Sequence, residues 1–443
     1  MIFCPFKSNI NDKRIKQIIC LIFAIIMSIE YFIAKKIYSA KEKNNSYTKP
    51  ILRIAIFAIS LSVSIMLISL MIIGGFKKNI TSKVVGFGSH IVISKMSHKS
   101  IFEKDPIIVN EVYLNDLKKD PLIKHINIFA EKPAVIKTLN EIHLIILKGV
   151  SSDYDWTFFK KHLVKGDISV INSNNISNNI LISKHISNIL NKDVNDTLNI
   201  YFAQQPPRVK RFRVNGIYKT DMTEFDDLYV LGDIKHIQKL NNWSNLELSS
   251  SRYYNDSVGG YEITLNDINN LDMVTEKIRL KTSSLLDVSN IKQTRGQIFQ
   301  WLDLQDINVK IILFLMLTVA TINMITTLLI IILDKTNLIG ILKAIGYNNW
   351  SIRKVFLFVS TSLILKGLFY GNIFAFSIAL LQKYFSFIKL DSQTYYMSSV
   401  PIDINIINIL FLNLGTLIIC YLILILPSYV ITKIDPIKSI RFE

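Results

Sequence analysis

Cysteine is scarce in this sequence. Its three residues, Cys4, Cys20 and Cys420, all lie outside the long polar stretch from residue 77 to residue 305. That stretch must therefore be held by an apolar core rather than by disulfides, and it is long enough to build one. Other chemistry is missing too. No G-x-x-x-x-G-K-[ST] loop is present, so the chain does not bind ATP in that way. There is no H-E-x-x-H, and His90, His98, His125, His143, His162, His185 and His236 do not fall at metal-ligand spacing, so they read as surface or satisfied residues. No G-x-S-x-G elbow or paired-cysteine site occurs. The sequence offers no catalytic constellation, and neither metal nor cofactor is expected on it.

Apolar residues are abundant, and they are concentrated. The 443 residues are 50% hydrophobic, with a net charge of +17 and a mean hydropathy of +0.33. Four runs are long enough to cross a hydrocarbon core, which takes about 20 residues: Ile51–Phe76, Val309–Leu333, Val355–Leu381 and Ile404–Tyr429. Charged residues that could form a transport path are nearly absent from them, which argues against an ion channel.

The place of the charge separates a membrane protein from a nucleic-acid binder. Residues 77–305 carry 30 Lys and Arg against 25 Asp and Glu, whereas residues 1–53 carry 10 against 3 and residues 334–354 carry 4 against 1. Basic residues favour the cytoplasmic side of short loops. Both termini and the 334–354 loop are therefore expected inside, with 77–305 and the short loop 383–403 outside. Nucleic acid is not needed to explain the charge. Ile, Asn and Lys are abundant and have AT-rich codons, so single surface lysines are weak functional signals.

The apolar segment Ile18–Ala34 contains Glu30 and is flanked by Lys13, Arg14, Lys16, Lys35 and Lys36. Counting it as a span would invert every later loop, so it is not taken as one. No small-residue cleavage motif follows it. Met27 is the expected start, with residues 1–26 a misassigned extension and residues 27–50 an interfacial helix. The expected organisation continues with spans at 51–76, 306–333, 355–382 and 404–430 and a tail at 431–443. The fold class is four transmembrane helices with a large α+β extracytoplasmic domain, residues 77–305, inserted between the first two.

Small residues such as Ala55, Ala58, Ser60 and Ser64 suit the first span to close helix contact. Gly74-Gly75 is expected to end it, and "KVVGFGSHIVIS" alternates like a strand. "PAVIKTLNEIHLIILKGV" reads as two strands joined at Asn140-Glu141. "NILISKHISNILN", "EFDDLYVLGDIKHIQKLNNW" and "GGYEITLND…INNLDMVTEKIRLKT" each read as strand then helix. "DTLNIYF" and "RFRVNGIYK" read as paired strands with a proline-stiffened tip, "AQQPPRVK". In the third span Gly367 and Gly371 have the small-xxx-small spacing of a helix contact. Lys366 beside them is read as snorkelling or facing protein rather than as functional, and Asn323 in the second span as interhelical glue.

In "NLIGILKAIG", Leu338, Ile341, Leu342 and Ile345 recur at i, i+3, i+4 and i+7 and give a short helix one apolar face. Gly346 suits the stop position after it, and Asn349 can cap the next helix. On spacing alone, a helix lying flat on the inner leaflet fits as well as one docked on a partner.

"LIGILKAIGYNNWSIRKVF", with four spans and a large outer domain between the first two, resembles the coupling segment of FtsX/MacB-type ABC transporter permeases. "FIAKKIY", "VVGFGSHIVIS", "QQPPRVKRFRVNGIY", "VGGYEITL" and "PSYVITKIDPIKSIRF" narrow the resemblance to the lipoprotein-releasing (Lol-type) permeases, over residues Met27 to Phe442. Where the family often has Glu before Ile-Gly, this chain has Leu338. The resemblance implies a permease subunit of the bacterial inner membrane that is not itself an enzyme, with ATP bound by a separate cytoplasmic ATPase subunit. Residues Leu338, Ile339, Gly340, Ile341, Leu342, Lys343, Ala344, Ile345 and Gly346 would couple to that ATPase, with Lys343 at the rim of its groove. It further implies pairing with a second permease copy or a paralogue, lipoproteins as substrates drawn from surrounding membrane lipids, and a periplasmic lipoprotein carrier. Gln204, Gln205, Pro206, Pro207 and Arg208 align with the hairpin that hooks the carrier in some members; a plain rigid turn is the other reading. An FtsX-type permease regulating cell-wall hydrolysis, with a smaller outer domain, and a MacB-like exporter, with a fused ATPase, remain the alternatives.

Overall fold

The computed structural model describes residues 29–39, 48–95, 105–138, 141–168, 176–243 and 257–434. The expected extension 1–26, the start at Met27 and most of the tail lie outside them. The chain divides into two compact units: residues 1–75, 304–387 and 401–443 form one, and residues 76–303 with 388–400 form the other.

The first unit is helical. Its elements are α1 (Ile29–Ser39), α2 (Thr48–Gly88) up to residue 75, α3 (Gly296–Asp334) from residue 304, α4 (Thr336–Ala344), α5 (Asn349–Phe385) and α6 (Ile406–Leu424), the last followed by a 3-10 turn at Pro427–Lys433. Among the described residues, four segments are long and apolar enough to cross a membrane: Pro50–Gly88, Gly296–Asp334, Asn349–Phe385 and Ile406–Lys433. Each buries one stripe, including Ile59, Val63 and Leu67 of α2, Met324 and Leu328 of α3, Val359 and Leu363 of α5 and Leu424 of α6. The other faces still present Phe57, Phe314, Phe374 and Phe411 outward. Helices apolar all round fit a hydrocarbon surround. Interhelical polar contacts in this unit include that of Asn372 with Asn413, which exchange side-chain amide hydrogen bonds at 2.8 and 3.0 Å. Asn323 is half-buried, and its carbonyl accepts from the Thr327 hydroxyl.

Gly74-Gly75 does not end the first span. α2 runs 41 residues to Gly88, and only Ile91–Lys95 of the following stretch is a strand. The glycines serve contact instead: a Cβ on Gly75 would lie 2.5 Å from the carbonyl oxygen of Pro401. Beyond residue 76 the helix continues because Ile80, Val84 and Phe87 recur at helical spacing and are buried.

The second unit is α+β, as the sequence implies. Its strands are β1 (Ile91–Lys95), β2 (Ile107–Ile108), β3 (Ile123–Lys137), β4 (Ile142–Val150), β5 (Leu163–Gly166), β6 (Asn179–Ser183), β7 (Thr197–Phe202), β8 (Arg208–Tyr218), β9 (Tyr229–Asp233), β10 (Ser257–Val258), β11 (Gly260–Leu265) and β12 (Leu286–Asn290). The main sheet runs β12-β1-β11-β3-β4-β9-β6-β8-β5, and β7 pairs with both β3 and β8. Strands β3, β4, β9, β6, β8 and β7 thus close on themselves, while β11, β1 and β12 extend β3 at its other end. The long strand β3 joins the two parts, pairing β11 through Ile123–Phe129 and β4 through Phe129–Lys137. The β7–β8 hairpin and the strand-to-helix passages fall where the turn and period signals put them; β3 and β4 pair, and Asn140 of their expected turn lies outside the described residues. Ser183 and Asp233 mark two of those passages by capping the following helices.

Segment 388–400, expected as a short loop, belongs to this unit. Met397 is buried in its core, and the Tyr396 carbonyl accepts from the buried Lys83 ammonium at 2.8 Å. The Asp221 carboxylate lies 3.9 Å from the same ammonium.

Candidate functional site

The turn from α3 into α5 is the candidate site. α3 ends at Asp334, and Lys335 breaks the helix with φ −105° and ψ 24°. α4 then runs for nine residues, with the Thr336 hydroxyl donating back to the Leu333 carbonyl at 2.5 Å. Its stop is a complete left-handed cap: Gly346 takes φ +89°, its N–H donates to Lys343 O, and the Tyr347 N–H donates to Leu342 O. The cap of α5 is Asn348 rather than Asn349, with its side chain accepting from the Trp350 N–H at 3.2 Å. Asn348 has the extended backbone that a helix cap requires, and Asn349 is already inside the helix.

The expected apolar face is split by its own unit. Ile339 and Gly340 are buried, Leu338 and Leu342 are half-buried, and Ile341 and Ile345 remain 48% and 75% exposed. Ala344 is exposed beside them. The outward face is therefore Asn337, Ile341, Ala344 and Ile345, about one helical step round from the face read off the spacing. Lys343 is not a free rim charge: its ammonium donates to the carbonyls of Thr432 and Ile434 at 3.3 and 2.7 Å. Arg353 closes the same corner, its guanidinium 4.6 Å from the centre of the Tyr429 ring and 5.9 Å from that of Trp350. Together these hold α4 against the start of α5 and the C-terminal turn while two isoleucines stay uncovered. Such a surface suits docking of another protein; its side chains carry no acid–base pair or nucleophile arranged for catalysis.

Gly367 and Gly371 sit where α5 meets α2. A Cβ on Gly367 would lie 2.5 Å from Ile59, and one on Gly371 would lie 2.8 Å from the Ser60 carbonyl. The Ser64 hydroxyl donates to Gly371 O at 2.9 Å. At the β7–β8 tip, Gln205, Pro206 and Pro207 are exposed, the Gln205–Pro206 bond is cis, and the Gln204 side chain reaches the Leu240 carbonyl at 3.4 Å. Arg208 opens β8. The tip and the α4 turn belong to different units.

In the second unit a cleft of about 870 Å³ is walled by Lys77, Lys78, Lys124 and Lys161, with Asp267 and His90 among its other residues. Burial pushes the His90 pKa down to about 4, and its Nδ1 accepts from the Leu265 N–H at 3.0 Å, so the ring is neutral at pH 7. Deeper in that unit the Lys148 ammonium pairs with Glu262. Sequence reasoning missed this pair, although the one charge inside "IHLIILKGV" was its visible signal.

Residues 310–436 match the family described as FtsX-like permease C-terminal. The chain is similar to the lipoprotein-releasing system transmembrane protein LolC of Buchnera aphidicola subsp. Schizaphis graminum, 22% identical over 410 residues, covering 90% of this chain and 95% of that protein. It is 20% identical to LolC of Xylella fastidiosa over 425 residues, covering 92% and 97%. To the lipoprotein-releasing system transmembrane protein LolE of Haemophilus influenzae it is 20% identical over 443 residues, covering 93% and 98%. Among solved structures, the periplasmic region of MacB from Actinobacillus actinomycetemcomitans aligns with 48% of this chain and 95% of its own at 12% identity and a TM-score of 0.31.

Proposed function

We propose that this chain, a Lol-type permease of the FtsX/MacB superfamily, is the membrane subunit of an ABC transporter that releases lipoproteins from the bacterial inner membrane. Hydrolysis takes place on a separate ATPase subunit, which grips α4 from the cytoplasm. The observation that carries this reading is the α4 turn: Ile341 and Ile345 stand exposed on a helix that Gly346, Lys343 and Arg353 lock to the ends of three spans. A lever needs both an uncovered tip and a rigid mounting, and α4 has both.

Movement would pass along the chain through α2 and α3, which continue past residues 76 and 304 into the second unit without a helix break, and through segment 388–400. The outer unit would then expel or hand on cargo. Both termini and the 334–354 turn lie on the cytoplasmic side in this reading, following the basic charge. A second permease, identical or paralogous, completes the complex, and Gln204–Arg208 offers a periplasmic carrier an exposed, proline-stiffened tip.

The test is Ile341→Asp with Ile345→Asp in the full chain. Both side chains are exposed, so insertion should be normal. An ATPase should co-purify with the wild type and be lost from the variant, and lipoproteins should accumulate in the inner membrane. Normal lipoprotein sorting with this double variant as the only copy would overturn the reading.

A further inference from the structure

We propose that the loop 219–228 of the second unit is the receiver of the lever's movement, with Phe225 as the positioning residue that keeps the incoming segments in step. This rests on the lever reading given above and adds where the stroke is collected.

The chain passes between the two units through α2, through the start of α3 and at both ends of segment 388–400. All three segments meet this one loop. From α2, the Phe87 ring stacks on Phe225 with centroids 4.5 Å apart and planes 18° apart, and the Lys83 ammonium lies 3.9 Å from the Asp221 carboxylate. From the residue before α3, the Arg295 guanidinium sits over the Phe225 ring, 4.8 Å from its centre. From segment 388–400, the Tyr396 hydroxyl donates to Glu224 at 3.4 Å, while the Tyr396 carbonyl takes the Lys83 ammonium.

Phe225 is only 2% exposed, so the ring stack and the cation contact are both shielded from water, where they are strongest. Movement of α2 together with the start of α3 preserves both contacts. Movement of one without the other breaks one of them.

The loop is tied to itself and to the strands beyond. The buried Asp226 carboxylate accepts from the Thr220 N–H at 3.0 Å, the Thr220 hydroxyl at 2.7 Å and the Asp221 N–H at 3.1 Å. A satisfied buried network of this kind holds one geometry. The Leu228 carbonyl accepts from the Ile146 N–H of β4 at 2.7 Å, and the Asp226 carbonyl accepts from the hydroxyl of Ser183 at the end of β6. The chain then runs directly into β9 at Tyr229. Close-packed interiors transmit strain rather than absorb it, so displacement of the loop reaches β4, β6 and β9 together.

The experiment uses the full chain with the ATPase that co-purifies with it, in nanodiscs. Hydrogen exchange of the β6 and β9 amides is compared before and after trapping with ATP and orthovanadate. Trapping should change that exchange in the wild type. Phe225→Ala should keep the ATPase bound and turning over ATP, yet lose the change; Phe225→Tyr, which keeps the ring, should retain most of it. A purely structural role for Phe225 would raise exchange in both nucleotide states and leave their difference in place, which would overturn the proposal. Arg295→Gln, which spares the ring stack, should diminish the change and decides the matter if Phe225→Ala does not fold. An undiminished change in Phe225→Ala, or in Arg295→Gln where Phe225→Ala does not fold, would overturn the proposal alone. No change in the wild type would overturn the lever reading with it.

Discussion

The ammonium of Lys148 lies 2.6 Å from Glu262 Oε1 and donates at the same distance to the carbonyl of Phe87, in the last turn of α2. Lysine and glutamate are 2% and 4% exposed. An ion pair this dry contributes little net stability over an apolar pair of the same shape, but removing one partner strands the other charge. Lys148→Met should therefore destabilise the second unit by about 3–5 kcal/mol, and Lys148→Met with Glu262→Leu should recover most of the loss. Chemical denaturation of the full chain in detergent, read by fluorescence, would check both. Equal losses in the single and double variants would mean that the pair does not act as a unit.

Gly346 makes a separate prediction possible because a Cβ there would meet nothing within 4 Å, while its φ is +89°. The constraint is on the backbone alone. Gly346→Asn, which tolerates the left-handed region, should stay close to wild type. Gly346→Val should lose the cap, and Gly346→Pro should lose it completely, because proline cannot adopt this φ and has no N–H for Lys343 O. Complementation of lipoprotein sorting should rank the three in that order. All three should insert normally.

Stability of the second unit should fall as the medium is acidified. The folded His90 pKa is about 4, below the ordinary 6.5 of the unfolded chain, so between those values the unfolded state binds more protons and folding weakens as pH drops. The sign is the same for His236, whose pKa is lowered chiefly by burial and also by Lys210. For His90 alone the effect approaches roughly 3 kcal/mol by pH 4. His90→Asn, whose Oδ1 can take the Leu265 N–H, should flatten this part of the profile. Hydrogen exchange of the β11 amides from pH 7 to pH 4.5 would measure it.

Two adjacent glycines should respond differently to alanine. At Gly74 the new methyl would touch Asp403 at 3.6 Å, an ordinary contact, whereas at Gly75 it would lie 2.5 Å from a backbone oxygen that no side-chain rotation can move. Gly75→Ala should cost about 1–3 kcal/mol and Gly74→Ala should be nearly silent. Thermal aggregation of the two variants in the same detergent would show the gap.

Much of the candidate site was legible because it is local. The i, i+3, i+4 recurrence around Leu338 and the glycine after Ile345 specify a short helix and its stop whatever surrounds them. Which side of that helix faces outward was not legible. Ile339 and Gly340 are covered by neighbouring helices and Lys343 is drawn to the C-terminal carbonyls, and both depend on contacts with residues distant in the chain. Gly74-Gly75 misled for the same reason: a glycine that ends a helix and one that admits a neighbouring backbone look alike in sequence. Lys148 was lost among lysines that composition made too common to notice.

Hydrophobic run length and the alternation of apolar residues determined, without any coordinates, that four helices could cross a membrane and that residues 77–305 would fold as strands and helices beside them. Those signals are local, because a helix or strand must match its own periodicity to the surface it buries. Only the tertiary structure decided that β7 reaches β3 to close a ring, that segment 388–400 joins the second unit, and that Arg53 and Lys366 share one groove. Each of these joins residues far apart in the chain. Such a pairing depends on how faces fit once folded, and no window of sequence contains both partners.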